Sequence, residues 1–245
     1  MLWVKGNLTN LEKICINSFL HHGYKLILWT YGEIHNSPKG IQIKDAKFIL
    51  PKKKIFLINN SYAPFSNLFR YHLLKKLGGL WVDTDIVCLK KFDHLCSESF
   101  LVSEKTRPRG FFRRLFRVVP LLQINNNVIY NKNIKDKNII DLALVISLNF
   151  PYEKFRWGGT GPHLLTALDK FYRQLSFKIM PPDFANSIPA KDCPGKLLQP
   201  NVKISKDATF LHLYNEMWRR SGISKDGPFP ENSILARLEK KFLSS

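Results

Sequence analysis

Acidic residues are scarce in this chain: its 245 residues hold 19 aspartates and glutamates against 38 lysines and arginines, a formal charge of +19. Long apolar runs are missing as well. Nothing approaches the roughly 20 apolar residues a membrane span requires, and no cationic, apolar leader opens the sequence. A membrane-spanning or secreted protein is therefore not expected, and a cytoplasmic location is. Cysteine is limited to positions 15, 88, 96 and 193, with no C-x-x-C spacing. That argues against a disulfide framework or a zinc ribbon, and Cys15 and Cys88, set in apolar runs, read as buried thiols of a reducing compartment. The sequons at Asn7 and Asn59 are then chance matches. No linker or repeat divides the chain and 44% of it is hydrophobic, so one domain over 1–245 is expected.

The basic excess invites an anionic partner. The charges are scattered among strands and loops, and no helix-turn-helix, zinc or RNA-recognition signature accompanies them, so nucleic acid is not the expected partner. They are densest at Lys52, Lys53 and Lys54 and over 107–117. In RGFFRRLFRVV, at 109–119, Phe111, Phe112, Leu115, Phe116 and Val119 share a helical face while Arg113, Arg114 and Arg117 lie opposite. Such a helix suits the surface of an anionic bilayer, and packs equally well on a protein core with its arginines solvated.

Strand and helix signals alternate through the first third, which argues for an α/β layered fold with a mainly parallel sheet. A short strand at 2–4 is followed by Thr9 and Glu12, a capping box that starts a helix running to about His22, with Gly23 as its stop. Further strands are expected at 24–30 and 41–43, and a helical turn at 45–50. The segment 64–77, PFSNLFRYHLLKKL, places apolar residues at 65, 68, 69, 73, 74 and 77, one face of a helix that Gly78 ends. In open α/β sheets ligands gather beyond the carboxyl ends of the strands, where Trp3, Trp29 and Asp83 all fall.

The stretch that follows, GGLWVDTDIVCLK at 78–90, sets two carboxylates one residue apart in an apolar setting. In an extended backbone Asp83 and Asp85 face the same way, roughly 6 to 7 Å apart, with Thr84 on the other side. Two hard oxygen ligands suit Mg²⁺ or Mn²⁺, which complete their shell with water and substrate phosphates. Leu80, Trp81, Val82, Ile86, Val87 and Leu89 predict burial on both sides, where unpaired carboxylates are costly without a cation. A bare D-x-D also arises at turns and caps. Asp83, Asp85 and Val87 further fit the D-x-D-x-[TV] loop of phosphatases, with Asp83 as nucleophile; against it, no adjacent pair of acids follows Asp85 to complete a Mg²⁺ site.

A helix bearing Ser66, Asn67, Arg70 and Tyr71, then two glycines, then D-x-D, resembles the nucleotide-sugar glycosyltransferases of family 32 and the related glucosylating bacterial toxins. Their shared pattern is roughly S-D-x-x-R-Y followed by G-G-x-[WY]-x-D-x-D. The resemblance continues through LWVKG at 2–6, KICINSFLHHGYKLILWTYGEI at 13–34, WGGTGPHLLT at 157–166 and HLYNEMWRR at 212–220. It is strongest to bacterial members found among capsule and lipopolysaccharide genes. It implies a GT-A fold, with a Rossmann-like nucleotide-sugar half at 1–92 and an acceptor-side half at 93–245. It also implies a retaining, Mn²⁺- or Mg²⁺-dependent transfer of a hexose or N-acetylhexosamine from a nucleotide diphosphate sugar, UDP-linked in the first instance. The acceptor would be a saccharide or lipid-linked saccharide of surface polysaccharide synthesis. A catalytically weak nucleotide-sugar or nucleic-acid binding protein of the same fold is the alternative.

Residue by residue, the resemblance gives Trp3 the nucleobase, by stacking, and Arg70 the donor's hydroxyls or phosphate oxygens. Trp29, in LWTYG, reads first as a core residue and is carried as a second nucleotide-sugar-binding aromatic. Asp85 corresponds to the direct metal ligand, and Asp83 to the residue that reaches ribose and cation. His212, ahead of Asn215, Glu216 and Trp218, is the expected third ligand. Asn126, in QINNNVI, is expected beside the sugar, and 157–166 as an acceptor-side loop. Asn67 departs from the family pattern, which has aspartate there; asparagine keeps one acceptor and adds a donor.

Overall fold

The computed structural model describes residues 1–106 and 121–243; the basic aromatic segment at 109–119 lies outside them. The opening strands and helix form as the local signals require. β1 (Leu2–Trp3), α1 (Asn10–His21), β2 (Ile27–Thr30) and β3 (Gln42–Asp45) build a parallel sheet in the order β1-β2-β3. The Glu12 carboxylate accepts the backbone N–H of Thr9 at 2.9 Å and also its hydroxyl, closing the capping box. Gly23, at φ +83°, turns the chain out of the helix.

The next helix, α2 (Ala63–Leu77), is buried on most sides up to Leu74: Asn67, Arg70 and Tyr71 are buried along with Phe65 and Leu74. Its polar residues are thus committed to the interior. Gly78 and Gly79 both take positive φ, and a Cβ at Gly78 would meet Ile134 Cγ2 at 2.9 Å and Asn131 O at 3.0 Å. Only glycine fits there.

Six strands follow: β4 (Gly79–Val82), β5 (Ile86–Cys88), β6 (Phe100–Thr106), β7 (Leu121–Asn131), β8 (Lys178–Met180) and β9 (Phe210–His212). Four make a mixed sheet ordered β4-β7-β6-β8, parallel only between β6 and β8, while β5 pairs antiparallel with β9. Around them lie α3 (Ile139–Leu148), which packs on α2, and α4 (Pro162–Phe171), which packs on β7. Three further helices, α5 (Gly195–Leu198), α6 (Asn215–Ser221) and α7 (Ile234–Phe242), close the C-terminal part, with α7 against α1. The result is a mixed α/β architecture, with parallel and mixed sheets flanked by helices. No helix of the described residues is long and apolar enough to cross a membrane.

Two irregularities prepare the site. The β6–β7 ladder shifts register between Leu101, opposite Ile129, and Val102, opposite Asn125, so residues 126–128 leave that ladder. Val128 pairs with Val82 instead, and Asn127 O accepts the Asp83 N–H at 2.9 Å. The second irregularity is the D-x-D segment itself. It does not continue a strand, as alternation predicts; it is a turn closed by Ile86 N–H to Asp83 O at 3.2 Å. The reason is topological, because β4 pairs with β7 and β5 with β9, and the chain must change sheets between them.

Candidate active site

Because the turn interrupts the pleat, Asp83 and Asp85 are held from different sides. Asp83 Oδ1 accepts from Arg70 Nη2 and from Trp81 Nε1, both at 2.7 Å. Asp85 Oδ2 accepts the N–H of Asn215, at the start of α6, at 2.7 Å and lies 3.3 Å from His212 Nε2. Burial and the neighbouring Asp85 charge push the Asp83 carboxyl above the ordinary carboxylate range, with the Arg70 guanidinium acting against them. For Asp85 burial also works upward, but the His212 ring and the Asn215 N–H outweigh it and hold this carboxyl low. The two acids of one motif are thus set apart by their surroundings.

Arg70 engages this framework through both terminal nitrogens, while its buried Nε has no hydrogen-bond partner. Its Nη1 donates to Asn126 O at 2.6 Å, its Nη2 also reaches Ser66 Oγ at 3.3 Å, and the guanidinium lies 5.0 Å from the centre of the Trp81 ring. Asn126 Nδ2 in turn donates to Asn67 Oδ1 at 2.8 Å, and Asn67 Nδ2 to Thr160 Oγ1 at 3.2 Å. Tyr71 completes the tie with a 2.9 Å bond to Thr160 O. Helix α2 therefore fastens the 157–161 loop, through the amide of Asn67 and the hydroxyl of Tyr71. Gly161 makes this possible, since a Cβ would stand 2.8 Å from Asn126 Nδ2.

Behind His212 lies a second amide cluster. His212 Nδ1 is 2.9 Å from Asn127 Nδ2 and 3.1 Å from Asn186 Oδ1, and its ring stacks on Tyr214 at 3.7 Å. Asn186 is anchored by donating to Ser103 O at 3.0 Å. When Asn127 donates to Nδ1, the ring proton sits on Nε2 and points at Asp85.

Most of the groups around the two aspartates border one cleft of about 1890 Å³, while Tyr71, Asn127, Thr160 and Asn186 are buried behind its wall. Asn67, Arg70, Asp83, Asp85, Asn126 and His212 line it, and so does Trp3, half-buried, with Nε1 bonded to Gly6 O at 2.9 Å and Lys225 Nζ 5.7 Å from its ring centre. Trp29 does not. It is buried in the core, 6.2 Å from Phe48 and 6.5 Å from Phe69, because β2 is the central strand of its sheet and turns this side chain onto α2.

The structure also brings forward residues that sequence reasoning passed over, two of them, Asn127 and Asn186, buried behind the cleft wall. Asn127 and Asn186 are amides in unremarkable contexts, and only their convergence on His212 makes them functional candidates. Trp81 entered as a core residue, yet its indole N–H holds Asp83. Glu104, a lone acid in FLVSEKT, lines the cleft with its carboxyl raised by burial, while the hydrogen bond with Asn125 pulls the other way. An acid inside an apolar strand was the available signal.

For a divalent cation the donor set is a pair of carboxylates. Asn215 and His212 both meet Asp85 through Oδ2, and both partners of Asp83 meet Oδ1, so the pair fits an ion that draws its remaining shell from water and phosphate. His212 spends Nε2 on Asp85, and no cluster of three or more histidine, cysteine, aspartate and glutamate side chains arranged to hold a metal occurs among the described residues.

Comparison with known proteins bears on this site. No curated protein matches the chain. Among solved structures, the PaToxG glycosyltransferase is similar at 16% identity with a TM-score of 0.47, over 71% of this chain and 68% of that one. Residues 10–101 match the model of a family described as "Glycosyltransferase sugar-binding region containing DXD motif". That match takes in Asn67, Arg70, Asp83 and Asp85, stops short of Asn126 and His212, and supports a sugar transferase.

Proposed function

We propose that the chain is a metal-dependent, retaining glycosyltransferase that moves a hexose or N-acetylhexosamine from a nucleotide diphosphate sugar, in the first instance a UDP-sugar, to a saccharide or lipid-linked saccharide of a bacterial surface polysaccharide, capsule or lipopolysaccharide. The observation that carries this reading is the turn at 83–85. Two carboxylates, Asp85 buried and Asp83 half-buried, offset by a single arginine, stand in a cleft of about 1890 Å³ within the segment that matches the D-x-D sugar-binding family. A pair so arranged costs stability unless a cation and a phosphate complete it.

In this reaction the anomeric C–O bond breaks as negative charge gathers on the leaving diphosphate. Mn²⁺ or Mg²⁺, held by Asp85 and Asp83, would supply the charge stabilisation, with His212 fixing Asp85 rather than taking the place of third ligand that its position in the sequence suggested. Arg70 does its work on Asp83, fixing the carboxylate that meets the donor's ribose. The Asn215 N–H and His212 orient Asp85 in the same way. Trp3 stacks the base, with the Lys225 ammonium nearby. Asn126 and Asn67 border the sugar, and their mutual hydrogen bond sets how each amide is presented to it. The acceptor hydroxyl attacks from the face the diphosphate leaves, which preserves the anomeric configuration. The basic segment at 109–119 would hold the enzyme at the inner face of an anionic membrane, near a lipid-linked acceptor.

A panel of nucleotide sugars, incubated with Mn²⁺ and followed for sugar release, tests the proposal. We expect at least one donor to be consumed, and the rate to fall on the order of a hundredfold or more in Asp85→Ala. Activity that survives this substitution and chelation overturns the metal assignment; no donor consumed overturns the function.

A further inference from the structure

Sugar transfer needs a place for a second sugar. We infer that Trp157, with Glu104 and Gln123, forms a saccharide subsite, and that it receives the acceptor; only the word acceptor rests on the proposed function. The cleft holds about 1890 Å³, well above the roughly 300–1,000 Å³ of a pocket shaped to one small molecule. The donor-side residues, Trp3, Asn67, Arg70, Asp83 and Asp85, account for part of its wall. Trp157, Glu104 and Gln123 line the same cleft and belong to none of those contacts.

Trp157 is 40% exposed. The Arg220 guanidinium lies 5.2 Å from its ring centre, and Arg220 is itself fixed by a 2.7 Å bond from Nε to Glu216 Oε1. A cation over one face leaves the second for a ligand, and a flat indole with one open face matches the apolar C–H face of a pyranose. The ring's position is tied to the donor side. Three residues along, Thr160 is bonded by Asn67 and Tyr71, and the Gly159 N–H donates to Arg156 O at 2.8 Å. Helix α2, which presents Arg70 to Asp83, therefore also sets where Trp157 stands.

Glu104 and Gln123 supply the polar half. They are directly opposed on β6 and β7, with Gln123 Nε2 3.5 Å from Glu104 Oε1. A carboxyl beside a carboxamide offers both acceptors and donors, the pattern that neighbouring sugar hydroxyls need. An aromatic platform and a paired polar floor in one cleft select a neutral pyranoside.

Saturation-transfer NMR with the methyl glycosides of glucose, galactose and N-acetylglucosamine tests this on the full chain. We expect at least one glycoside to bind, Trp157→Ala and Glu104→Gln each to weaken it about tenfold, roughly 1.4 kcal/mol, and Trp157→Phe to keep most of the affinity. Donor hydrolysis without acceptor should stay within about twofold in Trp157→Ala, while transfer to the bound glycoside falls about tenfold. Undiminished glycoside binding in Trp157→Ala, or no binding by the wild type, overturns the subsite. Hydrolysis falling in step with transfer also overturns it, by placing Trp157 on the donor. A wild type that binds a glycoside through Trp157 yet consumes no nucleotide sugar sinks the transferase reading and leaves the subsite standing.

Discussion

Gly161→Ala tests whether the junction between α2, β7 and the 157–161 loop is as tight as its geometry implies. A Cβ at this position would stand 2.8 Å from Asn126 Nδ2 and 2.9 Å from Asn67 Nδ2, inside the separation at which nonbonded atoms attract. Neither amide is free to swing aside. Asn126 donates to Asn67 at 2.8 Å, Asn67 donates to Thr160 at 3.2 Å, and both are buried. Overpacking of this kind costs about 1–3 kcal/mol, and each hydrogen bond broken in making room adds about 1 kcal/mol. A total of about 2–4 kcal/mol lowers the melting temperature of a chain this long by about 5–15 °C. Thermal unfolding followed by circular dichroism reads the shift. Asn67→Ser in the Gly161→Ala background removes one of the two clashing amides and frees Asn126 Nδ2 from its bond to Asn67, so it should recover part of the loss. A melting temperature within about 1 °C of wild type, or strict additivity of the two substitutions, would refute the reasoning.

Other perturbations probe the remaining assignments. Arg70→Met strips Asp83 of its ion-pair partner and should cost about 3–5 kcal/mol in urea unfolding, with Asp83→Asn on top adding far less than it does alone; two independent, additive losses would mean the pair is not coupled. Trp29→Phe should lower stability by about 1–2 kcal/mol and leave the donor KM unchanged, whereas a raised KM at unchanged stability would put Trp29 back in the donor site. Burial raises the folded Glu104 carboxyl above its unfolded value, so this group's stabilising contribution is present below the ordinary carboxylate pKa and lost as pH rises through the folded one. Glu104→Gln should therefore gain on wild type as pH increases from about 4 to 7, and a melting-temperature difference that ignores pH would count against it.

Much of the first 92 residues was legible before any coordinate. Periodicity placed α2 within a residue of its observed start, the glycine pair marked its end, and Thr9 with Glu12 announced α1. These signals are local, acting within a helical turn or a tight backbone reversal. The geometry of the D-x-D was read less well. Alternation along an extended strand would have aimed both carboxylates one way, and the change of sheet at 83–85 instead sends them to different partners. Trp29 shows the same limit, since a strand end near the ligand side and a strand end turned onto α2 look alike in one dimension. Asn67 was weighed as a sugar contact of altered charge; the tertiary structure adds that its two buried bonds also fasten the 157–161 loop.

Residue type and spacing alone determined that Asp83 and Asp85 stand together near a strand end, after a buried helix that carries Arg70. The tertiary structure decided what each of them meets. Arg70 and Asn126 are 56 residues apart, Asn67 and Thr160 are 93 apart, and Asn215 reaches Asp85 across 130. No local rule spans such separations. They are settled by which strands pair and which helices pack, and it was the pairing of β5 with β9, bringing His212 to Asp85, that turned a common tripeptide into an asymmetric pair of acids.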